Sequence, residues 1–191
     1  MKSMALLANG TITFGLISIL CLIILHITSP QFKPNFPMVS EYALGQYKWL
    51  LTIFFMSWGL CSITSGIMLW DIVTTTWSKI GVLLLFVTGI GAIMGGIFDV
   101  QHRLHGFSFA IGVPFLPIGA LLITYHLIKN AEWHPYSTSL LISSHSIWIG
   151  LILMGSMFLL FSNLKATGIV YGPDSPPLTE LPNGVLASMV G

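Results

Sequence analysis

Long apolar stretches alternate with short polar segments along the chain, and five of the apolar stretches reach the length of a membrane helix. A transmembrane helix needs roughly 20 mostly apolar residues. Each of the five contains serine, threonine or glycine but almost no charged residue. The predicted spans are Gly10–Thr28, Trp49–Trp70, Ile80–Phe98, Phe107–Leu127 and Leu140–Phe161. This pattern predicts an all-α protein, a polytopic transmembrane helical bundle.

The first apolar stretch has a second interpretation, because a lysine followed by an apolar run is also typical of a secretory signal. The run from Ile12 to Ile27 is long for the hydrophobic region of such a signal. It is not followed by an A-x-A-like cleavage site, which a signal requires. We therefore expect this stretch to be the first membrane span.

The composition agrees with a membrane protein. Hydrophobic residues make up 54% of the chain and charged residues only 7%, whereas soluble domains typically carry about 25% charged residues. Most of the surface must therefore face the lipid bilayer. The net charge of +1 provides no basic stripe for nucleic acid. We expect residues 1–191 to form a single integral membrane domain, in which residues 162–191 are a polar tail or the truncated start of a sixth span.

Counting the spans brings two polar segments to the same face of the membrane. One is the loop between the first two spans, which contains Glu41 and Tyr42, and the other is the turn from Asp99 to His105. His26, at the end of the first span, approaches the same face. The lysines and arginines are too evenly divided between the two faces to predict which one is cytoplasmic.

The turn between the third and fourth spans concentrates ionisable side chains, and it is the candidate site. Asp99, His102 and His105 stand three residues apart, so in a helix they would fall on one broad face. Two histidines and a carboxylate can hold zinc and leave coordination positions open for water. The sequence therefore predicts Asp99, His102 and His105 as candidate metal ligands. It predicts Glu41, Asp99 and His105 as candidate catalytic residues, with Glu41 as the acid/base group.

Ordinary roles for the same side chains remain open. Asp99 could cap the fourth span by accepting backbone N–H groups, and Arg103, four residues on, could pair with it. His102 and His105 would then lie hydrated among the lipid headgroups. The imidazoles could instead form a proton relay, because histidine titrates near neutral pH.

Small residues and prolines predict how the third and fourth spans pack. Gly91 and Gly95 form a GxxxG pattern, which lets helix backbones approach closely in lipid. This face could bind another membrane protein or a second copy of the chain, although glycine is also simply frequent in membrane helices. Pro114 and Pro117 predict a kink in the fourth span, because proline lacks a backbone donor and clashes with the preceding turn.

Two segments of the chain resemble the domain-of-unknown-function family 998. They read "SEYALGQYKWLLTIFFMSWGLCSITSG" and "GVLLLFVTGIGAIMGGIFDVQHRLHGFSF". In that family a Ser/Asp-x-Tyr-x-Leu-Gly-like element precedes the second span. An element with phenylalanine and aspartate closes the third span, and a His-Gly or Leu-His element opens the fourth. The corresponding residues here are Ser40, Tyr42, Leu44, Gly45, Phe98, Asp99, His105 and Gly106.

The resemblance implies a small bundle, usually of six spans, in a prokaryotic cytoplasmic membrane and without a settled biochemical activity. The expected sixth span is missing after "LASMVG", so we expect either a fragment or a five-span version. Three functional interpretations follow. The chain is a multi-pass membrane protein of uncharacterised role, a metal-dependent membrane hydrolase acting on a lipid-like substrate, or an accessory subunit of a membrane complex. A transporter is less favoured, because no charge lies deep in a span and no repeat is visible.

Overall fold

The computed structural model describes residues 2–32 and 39–166, and this part of the chain contains helices and no strand. Two short 3₁₀ helices, Val39–Leu44 and His134–Tyr136, precede the second and the last α-helix. The α-helices are α1 (Lys2–Thr28), α2 (Lys48–Trp70), α3 (Thr76–Ile97), α4 (His105–Gly112), α5 (Phe115–Leu127) and α6 (Ser137–Ala166).

The prediction of an all-α membrane protein is confirmed, because five segments are long and apolar enough to cross a membrane. They are Met4–Thr28, Lys48–Trp70, Thr76–Ile97, His105–Leu127 and His134–Ser156. Each predicted span overlaps one of these segments, and the predicted fifth span continues beyond its segment, from Ser156 to Phe161. The predicted tail, residues 162–191, lies outside the described residues from position 167 onward, and α6 takes up its first part as far as Ala166.

The third span is the centre of the bundle. Helix α3 packs against α2, α4 and α5, whereas α1 packs mainly on α2, and α6 packs on α5. In the most apolar 18-residue stretch of α3, 44% of the residues are buried. In the corresponding stretch of the span that contains α6, only 6% are buried. Helix α3 is therefore the element against which α2, α4 and α5 pack.

Glycine pairs bring the backbone of α3 directly against α2 and α4. A Cβ atom on Gly89 would lie 2.8 Å from the carbonyl oxygen of Gly59 in α2. A Cβ on Gly91 would lie 2.4 Å from the Cα of Gly112 in α4. Contacts this short leave no room for a side chain, so glycine is required at these crossings. Lipid provides no hydrophobic drive between helices, and the van der Waals packing that such close backbone approach allows is one of the forces that hold them together.

A third glycine pair joins α3 to α5, since a Cβ on Gly119 would lie 2.8 Å from the carbonyl oxygen of Gly81. The predicted GxxxG pattern is thus partly explained within the chain. Gly91 faces α4, and a Cβ on Gly95 would lie 3.6 Å from the ring of Phe55 in α2. The chain's own helices occupy this face. Binding of another protein through Gly91 and Gly95 stays a prediction.

The fourth span is interrupted at Pro114, as the sequence predicts. Helix α4 ends at Gly112 and α5 begins at Phe115. Pro114 has no backbone N–H to continue the helix, and its ring crowds the preceding turn. Pro117 lies in the first turn of α5, where a missing N–H is tolerated because the first four N–H groups have no partner within the helix. The interruption lets α4 and α5 contact α3 separately.

The glycine crossing between α3 and α4 predicts that Gly91→Ala destabilises the bundle. The added methyl group would overlap the backbone of Gly112, and overpacking of this kind costs typically about 1–3 kcal/mol. The measurement is the midpoint of thermal unfolding of the purified protein in mild detergent. Gly150→Ala is the matched control, because nothing lies within 4 Å of a Cβ at that position of α6. Equal midpoints for the two variants would contradict the assigned crossing.

Candidate functional site

A cavity of about 300 Å³ lies at the end of the bundle where α2 begins, α3 ends and α4 begins. The described residues that line it come from the first 3₁₀ helix, from the first two turns of α2, from the last turn of α3, from the turn before α4 and from the first residue of α4. Its polar lining comprises Ser40, Lys48, Thr52, Asp99 and His105. The cavity thus joins the two polar segments that span counting places on one face of the membrane.

The remaining lining of this cavity is apolar. Leu51 and Phe55 of α2 lie along it, together with Ile97 at the end of α3 and the backbone of Gly95 and Gly96. Ligand sites are typically concave and mostly apolar, with a few polar groups that orient the ligand. The arrangement suits a molecule with a polar head and an apolar portion.

His105 is held in one orientation by a hydrogen bond to the turn that precedes it. Its Nδ1 lies 2.8 Å from the carbonyl oxygen of Phe98. A carbonyl oxygen can only accept, so Nδ1 carries the hydrogen and donates it. In the neutral ring, Nε2 then carries the lone pair, and it is the nitrogen left for a ligand or a proton. The half-buried ring lines the cavity.

Asp99 also lines the cavity, and its side chain stabilises the turn. Its Oδ1 accepts the backbone N–H of Gln101 at 3.1 Å, a local bond that aspartate often makes in turns. Helix α4 begins only at His105, and its N-cap residue Leu104 makes no side-chain cap hydrogen bond. The alternative in which Asp99 caps the fourth span is therefore wrong, since Asp99 lies several residues before the helix.

His102 lies outside the cavity. Its exposed ring stacks on Phe98, with the ring centroids 4.6 Å apart and the planes inclined by 23°. Its Nδ1 accepts the backbone N–H of Leu104 at 3.1 Å. The structure therefore brings Asp99 and His105 to one cavity but leaves His102 outside. Across residues 2–32 and 39–166, no three histidine, cysteine, aspartate or glutamate side chains group as a metal site requires.

Glu41 and Tyr42 occupy the 3₁₀ helix that forms one wall of the cavity. Glu41 is half-buried beside the lining residue Ser40, but it is not among the described residues that line the cavity. Tyr42 is only 2% exposed. Its ring lies between His26 and Phe32, with centroid distances of 5.5 and 5.2 Å, and its hydroxyl donates to the carbonyl oxygen of Phe32 at 3.2 Å. Tyr42 thereby fixes the 3₁₀ helix against the end of α1.

Comparison with known protein families shows which family the chain belongs to. The family model described as Protein of unknown function (DUF998) matches residues 13–174. The chain belongs to the DUF998 family. No curated protein and no solved structure matches the chain. The function of this DUF998 member must therefore be argued from its cavity.

Sequence reasoning missed Lys48 and Thr52, which both line the cavity of the DUF998 chain. Lys48 stands at the first residue of α2, between Tyr47 and Trp49. A lysine at a span end next to aromatic residues is typical of the headgroup layer. That signal was present in the sequence, but it does not distinguish a lysine that lines a cavity from one that faces water.

The buried position of Tyr42 predicts a pH-dependent stability in this DUF998 chain. Burial raises the pKa of the Tyr42 hydroxyl above its ordinary value of 10.0. The neutral form is thus favoured in the folded state. The contribution of this group to stability is complete below pH 10.0 and is lost as the pH rises through the pKa of the folded state.

We expect Tyr42→Phe to lower the free energy of unfolding by about 1 kcal/mol at neutral pH, because it loses the hydrogen bond to Phe32. The variant should also lose less stability than the wild type at alkaline pH. Unfolding midpoints in detergent as a function of pH measure both effects. Tyr136→Phe is the control, since Tyr136 is 61% exposed. If the unfolding midpoint of Tyr42→Phe decreases as steeply at alkaline pH as that of the wild type, Tyr42 does not cause the pH dependence.

Proposed function

We propose that the protein binds a membrane amphiphile whose polar head occupies the cavity between the first 3₁₀ helix, α2, α3 and the turn before α4. The observation that carries the proposal is that Lys48, Asp99 and His105, together with the hydroxyl-bearing Ser40 and Thr52, line one cavity of about 300 Å³ whose other lining residues are apolar. Ligand cavities for small molecules start at roughly this volume.

The depth of the cavity supports this proposal. Lys48 is the first residue of its span, and Ile97 is the last residue of α3. Trp49 and Ile97, which both line the cavity, are 56% and 62% exposed. Tryptophan at a span end belongs to the headgroup layer of a membrane. An amphiphile in the bilayer could therefore reach the cavity sideways, with its head at the level of the polar lining and its chains beside α2 and α3.

Filling the cavity tests the proposal. In Thr52→Phe the larger side chain would take up space in the cavity, so we expect about a tenfold loss of affinity for a bound lipid, equivalent to about 1.4 kcal/mol. Native mass spectrometry of the protein purified in mild detergent measures the fraction of chains that retain a lipid.

Ile53→Phe is the matched control, because Ile53 is the next residue of α2, is exposed and is not among the described residues that line the cavity. It should retain as much lipid as the wild type. If Thr52→Phe and Ile53→Phe retain equal amounts, the lipid is bound elsewhere and the proposal fails.

Hydrolysis of the bound amphiphile is a second candidate function, and the hydrogen bond from His105 to Phe98 favours it. With Nδ1 donating, Nε2 can take a proton from a water molecule as the water oxygen attacks an ester carbonyl carbon. The same nitrogen then returns the proton to the departing alkoxide oxygen. The zinc-dependent form of this hypothesis is less supported, because among the described residues only Asp99 and His105 of the three candidate ligands line the cavity. Glu41, beside Ser40, remains a candidate acid/base group.

His105→Gln tests the catalytic role. A general base typically contributes a factor of about 10²–10⁴ to the rate, so hydrolysis of a long-chain fluorogenic ester should fall by that order. Lipid retention should change far less, because glutamine still offers hydrogen-bonding groups. The matched control is His102→Gln in the same turn, which should keep the wild-type rate. A rate unchanged by His105→Gln would exclude His105 as the base.

Two further assignments are proposals of the same kind. We place the protein in a prokaryotic cytoplasmic membrane, on the basis of the family resemblance and its five apolar spans. A role as an accessory subunit that binds through Gly91 and Gly95 is the weaker proposal, because both glycines are buried against helices of the same chain.

A further inference from the structure

Two opposite charges line the cavity without neutralising each other. Lys48, at the start of α2, and Asp99, after α3, both belong to its lining. The two side chains, both in the described part of the chain, form no ion pair; the Asp99 carboxylate instead accepts the backbone N–H of Gln101. Charges across a binding interface are generally arranged to complement those of the partner. A ligand that carries one negative and one positive group would satisfy both residues.

The negative group belongs at Lys48. This residue begins a 23-residue helix whose N-cap, Tyr47, provides no side-chain acceptor. The N–H groups of the first turn and the dipole of such a helix end favour an anion beside the lysine ammonium. The hydroxyl of Ser40 lines the same cavity and can donate another hydrogen bond. Together these donors suit a phosphate.

The positive group belongs at Asp99 and His105. The Asp99 carboxylate accepts hydrogen bonds, and the neutral His105 ring offers Nε2 as an acceptor because its Nδ1 donates to Phe98. A primary ammonium has three N–H donors to give to these two acceptors. A quaternary ammonium has none, so it could satisfy the charge of Asp99 but not the lone pair of His105.

We infer that the amphiphile is a zwitterionic phospholipid with a phosphoethanolamine head, with the phosphate at Lys48 and the ammonium at Asp99 and His105. This inference rests on the proposed function, because it identifies the class of ligand for the same cavity. The apolar lining at Leu51 and Phe55 suits the first part of the chains.

The test is a titration of the full chain in mild detergent with single-chain phospholipids, followed by native mass spectrometry. The three probes share one acyl chain and carry phosphoethanolamine, phosphocholine or phosphoglycerol heads. We expect the phosphoethanolamine lipid to bind about tenfold more tightly than either of the others, since each lacks one charge-assisted hydrogen-bonding group. Free phosphoethanolamine is the fourth probe and should bind more weakly than the lipid. If free phosphoethanolamine binds as tightly as the lipid, the cavity recognises the head group alone, and the assignment of a lipid as the ligand is wrong.

Two variants test the residue assignments. Asp99→Asn keeps an oxygen that can accept from Gln101 but removes the charge, so the preference for phosphoethanolamine over phosphoglycerol should disappear. Lys48→Met should weaken binding of all three lipids by about tenfold. Arg103→Gln is the matched control, because it removes a charge from an exposed residue of the same turn that is not among the described lining residues. It should keep the wild-type preference.

The outcomes separate the inference from the proposed function. If none of the phospholipids binds, the phosphoethanolamine assignment fails, and the proposed function fails with it unless the purified protein retains another lipid that Thr52→Phe displaces. If all three bind equally and Thr52→Phe still weakens them, the cavity binds an amphiphile but the phosphoethanolamine assignment is wrong. A preference for phosphoethanolamine that persists in Asp99→Asn would also overturn the assignment, because the ammonium would then be recognised elsewhere.

Discussion

Backbone contact between glycines is the interaction that sets how α3 packs against its neighbours. Helix α3 meets α2 at Gly59 and Gly89, and it meets α4 at Gly91 and Gly112. In lipid, apolar side chains gain little by moving from the bilayer to a neighbouring helix, so close packing has to supply the attraction. Because these crossings tolerate no added methyl group, they fix the offset between helices. That offset brings the start of α2, the end of α3 and the start of α4 to one level, where the cavity lies.

The five spans could be predicted from the sequence because the length of an apolar stretch is nearly sufficient to identify a membrane helix. The break at Pro114 was predictable for a similarly local reason. The glycine crossings were not, because the sequence shows Gly91 but not that Gly112, in the next span, is its partner. Only the three-dimensional arrangement distinguishes packing inside the chain from packing against another protein.

The candidate site was predicted in part. Counting spans correctly brought the turn from Asp99 to His105 to the face of the first 3₁₀ helix, and Asp99 and His105 do line one cavity. A helix through the turn would have placed Asp99, His102 and His105 on one face, but α4 begins only at His105. His102 stacks on Phe98 and is not among the described residues that line the cavity. The sequence did not identify Lys48 as a lining residue, because a lysine at the end of a span is also typical of a side chain that lies in the headgroup layer.

The order of the helices along the chain has a consequence for biosynthesis. Helices α2 and α3 are neighbours in sequence, and their crossing at Gly59 and Gly89 needs no later segment. During translation this hairpin can therefore assemble in the membrane as soon as α3 has left the ribosome, in keeping with the general tendency of chains to fold from the amino terminus. His105 is synthesised after α2 and α3, which supply two walls of the cavity. The newly made protein thus acquires the last polar group of its cavity only when the fourth span enters the bilayer.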